Sequence, residues 1–217
     1  MFLFPPCIAD AELNTHTGMT ISFTYEELHG EDLRPFLGEL GRLRIAVFRE
    51  YPYLYDGDLA YEESYLETYA RSANSCIVLL RTGDQIVGAT TALPMADESS
   101  EFQAPFLAAG YDLDDVFYFG ESIILPAFRG HGAGHEFFRR REAHARRVGP
   151  FRYTAFCAVD RPGYHPRRPA DYAGLDEFWT RMGYRKNTAL KCELEWKEIG
   201  EEVASKKKLS FWVKEWV

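Results

Sequence analysis

The feature that most constrains this chain is a glycine-rich turn set between an apolar run and a helical segment. Residues 116–125 form the apolar run, and Pro126 ends it. Residues 133–148 then carry apolar side chains at helical spacing. The first turn of a helix has unpaired N–H groups and a partial positive charge, which attract anions. Glycines let the backbone approach a ligand closely, so this arrangement predicts a phosphate-binding turn.

The spacing within the turn separates it from two familiar phosphate-binding motifs. No lysine followed by Ser or Thr comes after the glycines, which excludes the nucleoside-triphosphate P-loop. Gly130, Gly132 and Gly134 run G-x-G-x-G and not G-x-G-x-x-G, which excludes the dinucleotide motif. The pattern Arg-x-x-Gly-x-Gly at Arg129, Gly132 and Gly134 resembles the pyrophosphate signature of the GNAT superfamily of acyl-CoA-dependent N-acyltransferases. The segment FWTRMGY at residues 178–184 is similar to a second GNAT motif, Phe-Tyr-x-x-x-Gly-Phe.

This resemblance implies a fold and a donor. The implied fold class is α+β (mixed α/β), and the chain would have a GNAT fold with a central mixed, mostly antiparallel sheet of about seven strands flanked by about four helices. Residues 19–217 would form one acyltransferase domain after an irregular arm at residues 1–18. Acetyl-CoA would be the co-substrate, with its pantetheine arm against the strand backbone at Ile123 and Ile124. The turn would hold its pyrophosphate, with these residues in contact: Arg129, Gly130, His131, Gly132, Ala133 and Gly134.

The order of patterns along the chain agrees with that fold. Periodicity and turn signals predict strands at residues 19–25, 75–81, 85–93, 116–125, 151–159 and 190–196 and around residues 209–213. Helices are predicted at residues 32–48, 59–71 and 133–148 and near residues 175–182, and residues 95–113 are expected to be loop and weak helix.

Composition narrows the classes of partner. The net charge of −8 argues against nucleic acid or an anionic membrane as the main partner. The four cysteines lie far apart without a C-x-x-C pair, which favours reduced thiols in a cytoplasmic protein. No apolar run has the length of a membrane-spanning helix, and the start of the chain lacks the basic region of a signal peptide. No ligand spacing suggests a metal, and the oligomeric state stays open, with a homodimer possible.

Positive charge is concentrated after the glycine turn, at Arg129, Arg139, Arg140, Arg141, Arg146, Arg147 and Arg152. A charge run is usually a solvated helix face, so we expect one or two of these side chains near phosphate and the rest in solvent. Arg141 falls on the apolar face of its helix, where its aliphatic stem can cover apolar surface.

The implied chemistry requires a proton acceptor. An amine must lose a proton to attack a thioester carbonyl, and a carboxylate whose pKa burial has raised towards neutrality can take it. Glu121 is the candidate because it stands inside the apolar run. The alternative is a strand carboxylate that pairs with a basic neighbour or contacts solvent.

A thiolate leaves in the same reaction, and the tyrosine that protonates it in the family would fall where this chain has Trp179. Tryptophan cannot serve as that acid, so we expect it to pack against the sheet and the cofactor arm. The acid is then Tyr172, Tyr164 or His165, or a water molecule.

Residues 50–63 interleave tyrosines with carboxylates. Tyr53, Tyr55 and Asp56 are candidates for the wall of an amine site, since aromatic faces and carboxylates both hold cations. Tyr164 and His165 are further candidates, from the long loop at residues 160–174. The alternative is a plain loop that leads into a helix with Asp58 as its N-cap.

Three functions fit these patterns: an N-acetyltransferase acting on a small amine, a non-catalytic acyl-CoA-binding module, and a protein acetyltransferase for lysines or N-termini.

Overall fold

The computed structural model describes residues 11–13 and 21–216, and these residues form one eight-stranded sheet with helices on both faces. The strand order is β1-β2-β3-β4-β5-β6-β8-β7, and every neighbouring pair is antiparallel except β5 and β6. The mixed, mostly antiparallel sheet expected from the sequence is therefore confirmed.

The strands are β1 (Ala11–Leu13), β2 (Ile21–Leu28), β3 (Cys76–Thr82), β4 (Gln85–Pro94), β5 (Val116–Ile124), β6 (Tyr153–Val159), β7 (Arg185–Trp196) and β8 (Ser205–Glu215). The α-helices are α1 (Leu37–Phe48), α2 (Leu59–Arg71), α3 (Ser100–Ala108), α4 (Ala133–Val148) and α5 (Asp176–Arg181).

Helices cover the two faces of the sheet with separate cores. The apolar stripe of α4, which includes Phe137 and Phe138, packs on Phe117 and Phe119 of β5. On the opposite face α1 and α2 pack on β3, β4 and β5 in a cluster that contains Ile123. Burial of a large apolar side chain stabilises a fold by about 1.5–3 kcal/mol, so these two layers hold β5 firmly at the centre.

Several predicted elements differ from the structure in detail. The first predicted helix, at residues 32–48, is α-helical only from Leu37, and residues 30–36 form a 3-10 helix that contains Pro35. A full helix, α3, lies within the segment expected to be loop and weak helix. Strand β7 begins at Arg185 and shifts register between Asn187 and Lys191. Because this shift interrupts the alternation of apolar and polar residues, the strand was predicted to begin only at residue 190. Of the predicted arm, residues 11–13 pair with β2, and residues 1–10 and 14–18 lie outside the described ranges.

Strand β5 contains a bulge. Its partner β4 pairs Thr90 with Ser122 and Ala92 with Phe119, so Thr91 alone faces both Gly120 and Glu121. An extra residue in one strand changes which face the following side chains occupy. Glu121 consequently lies on the α1 and α2 face, opposite to the face that holds Phe117 and Phe119.

Because of the bulge, we expect any side chain at position 120 to destabilise the fold. A Cβ atom at Gly120 would lie 2.1 Å from the Tyr69 hydroxyl oxygen and 2.4 Å from Thr91 Oγ1. Gly120→Ala should therefore destabilise the fold by about 1–3 kcal/mol, measured by urea unfolding. The control is Gly163→Ala, where no heavy atom lies within 4 Å of the added carbon. Equal stability of the two variants would contradict this account of the bulge.

Candidate active site

A cavity of about 2130 Å³ opens where β5 and β6 diverge. The two strands pair only over residues 116–118 of β5 and 153–155 of β6. Beyond that point the facing edges separate, and Gly120 to Ser122 of β5 and Phe156 to Val159 of β6 line the gap. The exposed strand edge offers backbone groups to an extended ligand, as an added strand would use them.

The glycine-rich turn forms one end of this cavity. Gly130 and Gly132 have φ values of 82° and 83°, a conformation that glycine adopts without steric cost. The first helical hydrogen bonds are donated by the N–H groups of His135 and Glu136 to the Gly132 carbonyl, at 3.0 and 3.4 Å. Within residues 21–216, the N–H groups of residues 130–134 have no backbone acceptor. These donors suit a pyrophosphate at the start of α4.

The side chains of the turn have separate positions. Arg129 lines the cavity, donates from Nε to the Ile124 carbonyl at 2.8 Å and pairs with Glu50 at 2.8 Å. Ala133 and Gly134 also line the cavity, and a Cβ at Gly134 would touch Phe178 at 3.4 Å. His131 is outside the lining and packs its ring edge-on against Phe23.

Of the other residues predicted to contact acetyl-CoA, some line the cavity and one has its side chain in the core. Ile124 lines the cavity, whereas the Ile123 side chain is buried in the α1 and α2 face of the sheet. Trp179 lines the cavity while its ring packs against Phe156 and Trp212, each with centroids 5.1 Å away. The proposed roles of these residues stay predictions.

Arg141 is the one arginine of the cluster that is fully buried. Its guanidinium carbon lies 4.2 Å from the Phe119 ring centroid and 4.8 Å from that of Phe138. Its Nη1 donates to the Thr91 carbonyl at 3.5 Å, and burial lowers its pKa to about 10. The whole side chain of Arg141, and not only its stem, is therefore packed against these rings, and it also lines the cavity.

Glu121 belongs to a buried ion-pair network. Arg44 of α1 approaches Glu121 Oε2 at 2.7 Å from Nη1 and bonds through Nε to Glu62 Oε2 of α2. The Tyr65 hydroxyl donates to the same oxygen of Glu121 at 3.2 Å. The basic neighbour foreseen as the alternative to catalysis is thus present, but the carboxylate also lines the cavity and is open to a ligand on that side.

Glu98 is a second buried carboxylate that lines the cavity, and the sequence patterns did not predict it. It follows β4, is only 6% exposed, and has the Tyr69 hydroxyl 3.4 Å from Oε1 and the Ser99 N–H 2.6 Å from Oε2. Burial raises the pKa of Glu98 to about 7, and the nearby charge of Glu121 contributes to this rise. A carboxylate with that pKa exchanges protons at neutral pH, as a general base must.

Glu62 is the third buried carboxylate among the residues that line the cavity, with an exposure of 0%. Its Oε1 accepts no hydrogen bond of regular geometry within residues 21–216. The Tyr55 hydroxyl lies next to Glu62: burial raises the pKa of this phenol, and its hydrogen bond to Glu62 and the Glu62 charge raise it further.

The acidic and aromatic stretch is only partly at the site. Tyr53 and Tyr55 line the cavity, and the Tyr53 ring packs against Phe48 with centroids 4.6 Å apart. Asp56 points away and pairs with Lys197 at 3.1 Å and Arg49 at 3.3 Å. Asp58 caps α2 by accepting a hydrogen bond from Tyr61 N at 3.0 Å, as the alternative interpretation expected.

The loop at residues 160–174 covers the far side of the cavity. Arg161 ties it to the acidic and aromatic stretch by donating to the Pro52 and Tyr53 carbonyls at 2.6 and 3.1 Å. Tyr172 lines the cavity and packs on Tyr51. His165 contacts Tyr51 from outside the lining, and Tyr164 is 86% exposed.

A separate cluster contains His29, Cys76 and His144. These residues are distant in sequence, so their spacing along the chain did not predict the cluster. Their potential ligand atoms lie within 4.8 Å of one another. Both imidazoles already contact backbone carbonyls, and Arg147 lies 2.9 Å from His144 Nδ1. No described helix has both the length and the apolarity needed to cross a membrane.

Comparisons with known proteins identify the fold. No protein-family model and no curated protein matches the chain. An acetyltransferase structure from Streptococcus agalactiae matches with a TM-score of 0.56 and 15% identity, over 89% of this chain and 98% of that one. A putative GNAT-family acetyltransferase from Desulfovibrio desulfuricans matches with a TM-score of 0.51 and 10% identity, over 89% and 98%.

A third structure, a putative acetyltransferase from Salmonella typhimurium with its cofactor acetyl-CoA, matches with a TM-score of 0.53 and 10% identity, over 88% of this chain and 93% of that one. The chain therefore has the fold of the GNAT acetyltransferases, and the fold predicted from the glycine turn is confirmed.

The pKa of Glu98 predicts a pH-dependent stability. The folded protein holds this proton up to about pH 7, whereas an ordinary glutamate releases it near 4.5, so wild-type stability should fall as pH rises between these values. Glu98→Gln has no such titration. Its free energy of unfolding relative to wild type should therefore increase between pH 5 and pH 8, by on the order of 2–3 kcal/mol.

Urea unfolding at several pH values measures this difference. The control is Glu39→Gln, the same charge change at an exposed position on α1. Parallel pH profiles for wild type and Glu98→Gln would show that Glu98 is ionised in the folded state as readily as in the unfolded chain.

Proposed function

We propose that this protein is an N-acetyltransferase that moves the acetyl group of acetyl-CoA to the primary amine of a small acceptor. The observation that carries the proposal is one cavity lined by a glycine-rich turn with free N–H groups and by buried carboxylates. The fold supports it, since a structure of the same fold contains acetyl-CoA.

The donor fits the residues at its end of the cavity. Free N–H groups at residues 130–134 would bind the pyrophosphate, with Arg129 beside them. The unpaired edge of β5 near Ile123 and Ile124 would bond the pantetheine amides, and Trp179 would pack along the arm. Acetyl-CoA supplies the acyl group as a thioester.

The carboxylates supply the proton acceptor. The amine nitrogen attacks the thioester carbonyl carbon, its proton passes to a carboxylate, and the carbon–sulfur bond breaks to release the thiolate. Glu121 is the candidate base from the sequence, and Glu98 joins it because its pKa lies near neutrality. Tyr172 is the one of the three suggested acids that lines the cavity, and it would protonate the thiolate.

Acetyl-CoA should stabilise the protein through the glycine turn. At a ligand concentration of 100 times Kd the gain is about 2.7 kcal/mol, or roughly 5–10 °C in Tm for a chain of this size. Free adenosine should give little shift. Gly132→Ala should lose most of the shift, because a side chain disfavours the φ of 83° that aims the N–H groups.

Gly110→Ala is the matched control. Gly110 has a φ of 80° and, like Gly132, no heavy atom within 4 Å of an added Cβ, but it lies outside this cavity. Both variants should lose similar stability, and only Gly132→Ala should lose acetyl-CoA binding. Absence of any shift in wild type at millimolar acetyl-CoA would end the proposal.

Neutralising the carboxylates should separate their roles. Glu121→Gln should lower turnover by about 10²-fold if that residue takes the proton. Glu98→Gln should remove a rise of activity with pH that is centred near 7. Steady-state kinetics over pH 5.5–9 with an amine panel measures both effects.

The pattern of losses assigns the base. Loss of the pH-dependent rise in Glu98→Gln alone identifies Glu98, and a large loss of turnover in Glu121→Gln with the rise retained identifies Glu121. Unchanged kcat in both variants would remove these carboxylates from the mechanism. Saturable acetyl-CoA binding without transfer to any amine or peptide would identify a binding module instead.

A further inference from the structure

Helix α2 carries tyrosines at positions 61, 65 and 69, and side chains at this spacing lie in one row along a helix. Tyr65 and Tyr69 both pack towards the sheet. Their hydroxyl oxygens are 3.0 Å apart, so one phenol donates a hydrogen bond to the other. The two residues therefore form a short path of hydroxyl groups inside the protein.

Each end of this path meets a carboxylate of the cavity. The Tyr65 hydroxyl oxygen lies 3.2 Å from Glu121 Oε2, and the Tyr69 hydroxyl oxygen lies 3.4 Å from Glu98 Oε1. The second distance is long for a hydrogen bond between oxygens, but such contacts in active sites often shorten when a substrate binds. Glu121 and Glu98 are thus joined by three consecutive hydrogen bonds through two phenols.

The chain of hydrogen bonds is buried and held by the bulge in β5. Tyr69 is fully buried, and Glu98 and Glu121 are 6% and 7% exposed. Gly120 admits the Tyr69 hydroxyl, which would lie 2.1 Å from a Cβ atom there. Thr91 Oγ1 accepts from the Glu121 N–H at 3.2 Å and also has a hydrogen bond with the Tyr69 hydroxyl. A phenol has one hydrogen and two lone pairs, so Tyr69 can bond to Thr91 and to both of its neighbours in the chain.

The two carboxylates differ in what surrounds them. Arg44 Nη1 lies 2.7 Å from Glu121 Oε2, and a proton on that oxygen would weaken the ion pair. Glu98 instead contacts the Tyr69 hydroxyl and the Ser99 N–H, which are neutral donors, and its burial favours the protonated form. A single proton shared between the two carboxylates is therefore more stable on Glu98.

We propose, resting on the acetyltransferase function, that the proton of the attacking amine passes from Glu121 to Glu98 through the hydroxyls of Tyr65 and Tyr69. Glu121 meets the amine first, because it belongs to the strand edge that lines the gap between β5 and β6. Tyr65 and Tyr69 act through the two carboxylates.

The transfer leaves neither phenol charged. The amine nitrogen bonds to the thioester carbonyl carbon and gives a proton to Glu121. That proton then moves to the Tyr65 oxygen, the Tyr65 proton moves to Tyr69, and the Tyr69 proton moves to Glu98. Glu121 ends as a carboxylate and Glu98 as a neutral acid, and the carbon–sulfur bond breaks with its electron pair on sulfur. Glu98 releases the proton to water when the products leave.

The charges around Glu98 come from α1, α2, β5 and β6. Besides Glu121, the titratable and charged groups that act on it are Arg44, Tyr61, Tyr65, Tyr69, Tyr118 and Cys157. Burial raises the pKa of each of these phenols, and the neighbouring Cys192 thiol, together with burial, raises the pKa of Cys157. A guanidinium keeps its proton. A change of rate centred near pH 7 therefore reports on the carboxylates.

Tyr69→Phe tests the relay because it removes the hydroxyl and keeps the ring. Above pH 7 kcat should fall by about tenfold or more, and the rise of kcat with pH should disappear, as in Glu98→Gln. KM for acetyl-CoA should stay the same, because Tyr69 is outside the cavity lining. Tyr65→Phe should lower kcat and remove the rise in the same way.

Tyr184→Phe is the matched control. Tyr184 is fully buried, and its hydroxyl lies 3.4 Å from Glu142 Oε1, the same distance as between Tyr69 and Glu98. It lies outside the cavity lining. This variant should lose a similar amount of stability and keep the wild-type kcat and its pH dependence.

A double variant separates proton transfer from packing. Tyr69→Phe should not lower kcat further in the Glu98→Gln background, because the path then has no final acceptor. Additive losses of kcat, or a rise that persists in Tyr69→Phe at a shifted pH, would show that Tyr69 only packs beside Glu98. If Tyr69→Phe fails to fold, Tyr65→Phe in the same two backgrounds gives the answer.

Infrared titration separates the relay from the proposed activity, since it needs no acceptor. A protonated carboxyl band that disappears near pH 7 in wild type, is absent in Glu98→Gln and changes frequency in Tyr69→Phe would support the chain even if no amine is acetylated. A wild type without this band at pH 6 would contradict the relay. Turnover of an amine with unchanged kcat and pH profiles in both phenylalanine variants would leave the acetyltransferase function standing and remove the relay.

Discussion

The bulge in β5 is the constraint on which the site depends. Thr91 faces two residues of β5, and the displaced pair, Gly120 and Glu121, lies against α1 and α2. Gly120 leaves room for the Tyr69 hydroxyl and Thr91 Oγ1, so the helix can approach the strand closely. The same displacement brings Glu121 within reach of Arg44. Removing the bulge would return this carboxylate to the aromatic layer beneath α4.

The cavity consequently has opposite electrostatic ends. At one end, backbone N–H groups at the start of α4 present a partial positive charge to a phosphate. At the other end, Arg44 serves both Glu62 and Glu121, and burial holds the pKa of Glu98 near 7. An anionic donor and a cationic acceptor would each be attracted to its own end, with the strand edge of β5 between them.

Local features of the site could be predicted from the sequence, and its long-range pairings could not. The glycine turn is encoded within a few residues, because the positive φ of Gly130 and Gly132 and the helix that follows need no distant partner. Arg44, Glu62 and Glu98 belong to different segments that meet only through packing. The bulge is hidden as well, since simple alternation places Glu121 on the face of Phe117 and Phe119.

Residues 53–56 show why composition alone does not predict which side chains line the cavity. Tyr53 and Asp56 are close in sequence, yet Tyr53 faces the cavity and Asp56 pairs with Lys197 on the outside. The turn between them contains Leu54 at a φ of 54°, which is uncommon for a residue other than glycine. Arg161 then fixes this turn by donating to the Pro52 and Tyr53 carbonyls. The shape of this part of the cavity wall therefore depends on backbone carbonyl contacts, which leave no pattern in the side-chain sequence.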